Sequence, residues 1–244
     1  MELNLHTTKA KLVRNLSIII PYRETPLRLQ EIFLDIKELL QQEPYYNTSI
    51  LLFDDASTNP IPSKNIPDTI QYFRNEENVG YGAIQKKAFD YVLSSEDTDI
   101  VVLLHGDNQY HLQDLLRLAA SMEHHDFGLL NRMSLRPQNN YPYPRMLSNY
   151  ILTTALNRTM KTHFCDLHSG GRVYTTDILR QMPYNDFDDH FLFDQQILLH
   201  LINNNASGIE YPIQADYSKG SSSISYKDGF KYALQCLQQI WILS

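Results

Sequence analysis

The feature that most constrains this chain is an alternation. Short, β-branched apolar runs recur between stretches of helical periodicity, and the runs stop abruptly at polar residues. Leu16-Ser17-Ile18-Ile19-Ile20 stops at Pro21, Ser49 to Phe53 at Asp54-Asp55, and Asp99 to Leu104 at His105-Gly106-Asp107; Ile70 to Phe73 and Phe127 to Leu130 are two more. Runs this short and this apolar read as buried strands. Between them, Leu29, Ile32, Phe33, Ile36, Leu39 and Leu40 recur at helical spacing after Thr25-Pro26, an N-cap and first-turn proline by type. Gly80-Tyr81-Gly82 opens a second helix through Ala88, Tyr91 and Val92, and Leu112 to Met122 forms a third. Strands alternating with helices specify an α/β fold: a mostly parallel, Rossmann-like sheet with helices on both faces.

Beyond Tyr141 the order changes. Helices at about 146–162 and 191–203 flank a short strand at about 171–175. A strand near Ile209–Tyr217, a Ser-rich loop and a final helix from about Lys227 follow. No repeat or low-complexity linker divides the chain, so residues 1–244 read as a single domain. The net charge of -7, with no Lys/Arg run, argues against nucleic acid. Two cysteines, Cys165 and Cys236, are too few for a disulfide scaffold and suit a reducing, cytoplasmic setting. The first residues lack the apolar centre of a signal peptide, and no run approaches the ~18 apolar residues of a spanning helix. The expectation is a soluble or membrane-peripheral protein.

In open parallel sheets, ligands bind at the carboxyl ends of the strands. Tyr22-Arg23-Glu24, Asp54-Asp55-Ala56-Ser57 and Asp107 all fall at such ends. One acidic strand end is an ordinary turn or cap; three on one sheet edge need partners, because neighbouring carboxylates repel. A divalent ion, Mn2+ or Mg2+, and the base edge and ribose hydroxyls of a nucleotide would supply them. Asn78-Val79-Gly80-Tyr81-Gly82 is a glycine turn before a helix. It is not G-x-G-x-x-G, and no Walker A pattern occurs, which argues against a dehydrogenase or an ordinary NTPase.

Five segments in order carry a resemblance. Ile20-Pro21-Tyr22-Arg23-Glu24, Asp54-Asp55-Ala56-Ser57, Asn78 to Gly82, His105-Gly106-Asp107-Asn108-Gln109 and Asp166-Leu167-His168-Ser169-Gly170-Gly171-Arg172 resemble family 2 glycosyltransferases over roughly residues 16 to 220. The branch they look most like contains the dolichyl-phosphate mannose synthases and related polyprenyl-phosphate sugar transferases. The resemblance implies a GT-A fold, a nucleoside-diphosphate-sugar donor on UDP or GDP, and inversion at the anomeric carbon. It implies that residues about 16–135 hold the nucleotide sugar and about 136–244 build the acceptor side. Pro21, Tyr22, Glu24, Asp54 and Asp55 would then frame base and ribose, beside Gly80 and Gly82. His105-Gly106-Asp107 occupies the family's Asp-x-Asp position, so Asp107, with His105 in place of the first Asp, would hold the metal. A neutral imidazole can ligate Mn2+ or hydrogen-bond a ribose. Gln109 would sit beside the phosphates, and Arg132, Arg145 and Arg172 near the diphosphate or an acceptor phosphate.

Asp194 opens an apolar helix. It is a helix-end charge or the general base that a hydroxyl acceptor requires. A polyprenyl phosphate is already an anion and would instead need cations such as Arg132, Arg145, Arg172 or Lys219. The acceptor therefore reads as a glycan or a lipid-linked group. A nucleotide-sugar-binding protein without catalysis is the reading from another class. His163, Cys165, Asp166 and His168 match no common zinc spacing. Phe230, Leu234, Leu237, Ile240 and Trp241 line one side of the last helix, which is expected to pack on the domain, with a peripheral membrane or dimer contact as the other use.

Overall fold

The computed structural model describes residues 14–41, 46–95, 97–135, 141–214 and 226–243. Seven strands form one sheet: β1 (Arg14–Tyr22), β2 (Tyr46–Asp54), β3 (Ile70–Arg74), β4 (Ile100–Leu103), β5 (Phe127–Asn131), β6 (Arg172–Thr175) and β7 (Gly208–Pro212). Their order is β3-β2-β1-β4-β6-β5-β7. Every pairing is parallel except those of β6, which runs antiparallel to both β4 and β5. Seven helices accompany them: α1 (Pro26–Gln41), α2 (Tyr81–Leu93), α3 (Leu112–Ala120), α4 (Tyr143–Met160), α5 (Thr176–Arg180), α6 (Leu192–Asn203) and α7 (Tyr226–Leu243).

The period-2 alternation of strand side chains sorts the core into two layers. Ile18, Ile20, Leu52 and Val102 face one side, under Leu29, Ile32 and Ile36 of α1 and Leu115 and Leu118 of α3. Ile19, Leu51, Val101 and Leu103 face the other, under Ile84, Phe89 and Val92 of α2 and Phe193 and Ile197 of α6. Both faces of the central strands are covered, which is why they read as unbroken apolar runs.

Four expectations change. The segment Leu112 to Met122 is a helix only to Ala120, followed by a separate 3-10 turn at Met122–His124. A short helix, α5, follows β6 directly and is N-capped by Thr175, whose side chain accepts from the Ile178 amide. The strand near 209–217 ends at Pro212, and the Ser-rich stretch with Lys219 lies outside the described residues. Helix α7 packs through Tyr232, Ala233 and Cys236 against Leu152 and Leu192, which leaves Phe230, Leu234 and Leu237 exposed instead of buried. Of Ile240 and Trp241 the helical backbone alone is described.

Two topological facts place the site. Chain order reverses between β1 and β4, with β2 and β3 on one side and the later strands on the other, so the switch point lies there. Pro21 falls beyond the last β1–β4 pair, Ile19↔Leu103, so its missing N–H breaks no rung of that ladder. Because β6 is antiparallel, its first residue, Arg172, stands opposite Leu103 and Leu129 at the carboxyl edge of the parallel strands.

Candidate active site

A cavity of about 840 Å³ opens at this switch point. Its base is set by the loops leaving β1, β2 and β4. Each carries a non-glycine residue in the left-handed region: Glu24 (φ 56), Ala56 (φ 54) and Asn108 (φ 51). Such a conformation costs roughly 1–2 kcal/mol per residue, and hydrogen bonds between the loops hold it. The Asp55 amide donates to Tyr22 O at 3.0 Å, and the Glu24 amide to Ser57 Oγ at 3.2 Å. Glu24 Oε1 accepts from the Thr58 amide, which holds its carboxyl below the usual range.

The acidic pair divides where β2 ends: Asp54 is its last residue and Asp55 begins the turn. Asp55 lines the cavity. Its Oδ1 accepts from the Val79 amide at 2.9 Å and Asn75 Nδ2 at 3.0 Å, and its Oδ2 from the Gly80 amide at 3.1 Å. Asp54 is fully buried and does not line it. Asp54 Oδ1 accepts from the Ser57 amide at 2.8 Å, and Oδ2 from the Tyr72 hydroxyl at 2.8 Å and Arg74 Nη1 at 3.1 Å. Asp54 is thus a turn anchor set back from the cavity lining.

Glycines 80 and 82 also separate. Gly80, at φ 104, lines the cavity, and a Cβ there would meet Asp189 O and His190 Nδ1 at 2.6 Å. Gly82 does not line it; a Cβ there would meet Phe193 Cβ at 2.8 Å, and its amide donates to Asp189 O at 2.8 Å. Gly82 is a packing position where the loop before α6 lies on the first turn of α2.

At the centre, Tyr81 joins the two halves of the chain. Its ring stacks between His105 (centroids 5.6 Å apart) and Phe191 (5.2 Å). Its hydroxyl donates to Asp194 Oδ2 at 2.8 Å and lies 3.3 Å from His105 Nε2. Burial, with Asp194 beside it, pushes that hydroxyl well above the ordinary tyrosine range, so it stays a donor. His105 Nε2 is 2.9 Å from Gly170 O. A carbonyl only accepts, so Nε2 carries a proton there. Asp107 Oδ1 accepts from the Gln109 amide at 3.2 Å, and both residues line the cavity with Pro21, Tyr22 and Arg145.

Two of the three expected phosphate-facing arginines are engaged in the wall. Arg172, 1% exposed, donates from Nε to Ser169 O (2.8 Å) and from Nη1 to Asp194 O (2.9 Å). Its Nη2 lies 3.7 Å from Asp194 Oδ2. Burial opposes its charge, but Asp194, Tyr174 and Tyr81 together outweigh that and raise its pKa. Arg132 forks onto Asp166, Nε to Oδ2 at 2.7 Å and Nη2 to Oδ1 at 2.9 Å. Burial alone would push Asp166 up, yet Arg132 and Asn149 Nδ2 at 2.7 Å hold it below the usual carboxylate range. Both arginines border the cavity, but their named donors face protein. Arg145, in the first turn of α4, borders the mouth.

Asp194 is the singular carboxylate. Its Oδ2 is held by Tyr81 and faces Arg172, while its buried Oδ1 has no hydrogen-bond partner among the described residues. His168, on the same wall, puts Nδ1 2.9 Å from the Tyr232 hydroxyl. Burial chiefly, against Asp166 and with Arg172 and Arg132, brings its pKa down to about 4. Among the described residues, no three His, Cys, Asp or Glu side chains cluster as a self-sufficient metal cage. Asp107 and His105 both line the cavity, and a carboxylate and an imidazole are donor types for a divalent ion held by one or two protein ligands, with substrate phosphates and water as the rest of its shell.

Tyr81, Asn149 and Asp166 received no role from the sequence. Tyr81 and Asp166 lie inside the quoted segments, so the signal was there; Asn149, an interior helix position, gave none.

A model of the family described as glycosyl transferase family 2 matches residues 17–182. No curated protein matches the chain. Among solved structures, the chain is similar to glucosyl-3-phosphoglycerate synthase from Mycobacterium tuberculosis. Against its complex with Mn2+, UDP and glucosyl-3-phosphoglycerate, identity is 14% and the TM-score 0.64. Against its UDP complex the values are 14% and 0.68, and against its complex with Mn2+, UDP-glucose and glycerol 3-phosphate 13% and 0.67. Each match covers 94% of this chain and 80% of the other. The likeness establishes the GT-A fold.

Proposed function

The chain belongs to glycosyl transferase family 2, and from that premise we propose that it moves a sugar from a UDP- or GDP-linked donor to a hydroxyl acceptor, with inversion at the anomeric carbon. The observation that carries this reading is one cavity at the switch point bringing Asp55, His105, Asp107 and Asp194 together, the last with an Oδ1 unpaired among the described residues. Pro21, Tyr22, Glu24 and Asp55 frame base and ribose. His105 and Asp107 hold the divalent ion, and Gln109 lies beside the phosphates. When bound, that ion supplies positive charge against the diphosphate. Asp194 accepts the acceptor's proton, while Tyr81 and Arg172 position it. Residues 16–135 form the donor half and residues 136–244 the acceptor half. The solved complexes of the similar synthase support UDP and Mn2+ as the first ligands to try.

A polyprenyl-phosphate acceptor is the second reading, favoured by Arg145 at the mouth. It would place the chain in the branch its segments resemble. A binding protein without catalysis is excluded by any sugar transfer or donor hydrolysis in Mn2+.

The test is thermal stability with UDP and GDP, each with and without Mn2+. A ligand at a hundred times its Kd stabilises by about 2.7 kcal/mol. The expected result is a larger rise in Tm with metal than without, lost in Asp107→Ala. Full metal-dependent stabilisation of Asp107→Ala would move the metal elsewhere.

A further inference from the structure

Helix α4 is apolar on two faces. Asn149, Leu152, Thr153 and Leu156 are buried, whereas Tyr143, Leu147, Tyr150 and Ile151, at helical spacing on the other side, are 66%, 43%, 56% and 51% exposed. Helix α7 packs beside α4 and repeats the arrangement: Cys236 is buried, and Phe230, Leu234 and Leu237 are 68%, 53% and 43% exposed. Seven of the twelve large exposed apolar side chains among the described residues thus lie on these two adjoining helices. Concentrated apolar surface of this kind marks a contact site.

The charge there runs opposite to that of the chain. The protein's net charge is -7, yet α4 contains Arg145 and Arg158 and no acidic residue. Lys161 follows at its exposed C-cap, and Lys231 of α7 is exposed next to Phe230. Cations bordering apolar and aromatic side chains on exposed helices are what an interfacial surface presents to acidic headgroups. A second copy of the chain fits worse, because a two-fold contact sets the same patch against itself and brings like charges together. The face also adjoins the cavity mouth, which Pro144, Arg145 and Phe230 border.

We propose that α4 and α7 form a docking face for an anionic lipid bilayer, with the cavity opening beside the membrane surface. Among the described residues no helix is long and apolar enough to cross a membrane, so the contact is interfacial. The proposal does not rest on the transferase reading, and its test uses no nucleotide sugar, so either can fail alone.

The test is co-sedimentation of the full chain with phosphatidylcholine vesicles and with vesicles that also contain phosphatidylglycerol. The expected result is binding to the anionic vesicles that weakens with salt. Partitioning should fall roughly tenfold or more in Ile151→Gln/Leu234→Gln and in Arg158→Gln/Lys231→Gln. The control pair Leu27→Gln/Leu34→Gln, on the exposed side of α1, should bind as wild type; all variants change exposed positions and are compared at unchanged melting temperature. No binding to anionic vesicles, equal binding by the α4/α7 variants, or a concentration-dependent dimer lost in those variants without lipid binding would each overturn the proposal.

Discussion

Asp194 and His168 stand on one cavity wall, and each gives a residue-scale test. Asp194 Oδ1 has no partner among the described residues, while Oδ2 is fixed by Tyr81 and Arg172. If Asp194 removes a hydroxyl proton, Asp194→Asn should lower turnover by ~10²–10⁴. With a polyprenyl-phosphate acceptor no proton has to leave, and the same change should scarcely alter turnover. Rates of the two proteins with each acceptor class, at matched folded fraction, decide between the readings. His168 tests the wall by pH. Its native pKa of about 4 lies below the ordinary histidine value of 6.5. The unfolded chain therefore binds a proton that the native state refuses, and the stability from a neutral His168 is complete above about pH 6.5. It is lost as pH falls toward 4, by about 2 kcal/mol between pH 7 and 5. Urea titrations at the two pH values should show this drop in wild type and a shallower one in His168→Gln.

At the scale of elements, the question is what holds the loop before α6 against α2. Lys86 of α2, 8% exposed, donates from Nζ to Phe187 O, to Asn185 O at 3.3 Å and to Asp189 Oδ1 at 2.8 Å. Gly80 and Gly82 let the same loop approach closely. Its far end carries His190, Phe191 and Asp194 into the cavity. Lys86→Met keeps the stem but leaves these acceptors without their donor, a loss of ~1–3 kcal/mol. The expected outcome is lower urea stability with a donor KM raised more than kcat falls. Unchanged KM would mean that the loop is held without Lys86. The start of α2 was legible, because a glycine turn before a periodic run is a local signal. That one of its lysines clamps residues about a hundred positions later was not. Helix α5 was not legible either: five residues are too few to show a period.

The whole molecule is tied together by a buried polar network. Arg132 at the end of β5 and Asn149 of α4 meet on Asp166, whose amide donates to Glu210 Oε1 of β7 at 2.8 Å. The two halves of the chain, before and after about residue 135, thus share one sheet and one ion pair. Removing one partner strands a buried charge, so Asp166→Ala should cost about 3–5 kcal/mol. Because the halves are not independent, that loss should appear as one earlier transition, coincident by circular dichroism and tyrosine fluorescence, rather than as two.

The sequence by itself determined that the chain forms a covered, mostly parallel sheet with acidic strand ends on one edge. Those are local matters: strand runs, helical period, and turn residues such as Pro21 and Gly80. Tertiary structure decided what the polar residues at that edge do. The antiparallel entry of β6 carried Arg172 to the edge, and the α6 loop brought Asp194 to Tyr81 across 113 positions. Asp54, the last residue of β2, is buried on Tyr72, Arg74 and the Ser57 amide, while Asp55 in the turn beyond lines the cavity. Arg132 and Arg172 are ordinary cations in sequence, and the carboxylates they meet become their partners only once burial makes an unpaired charge too costly.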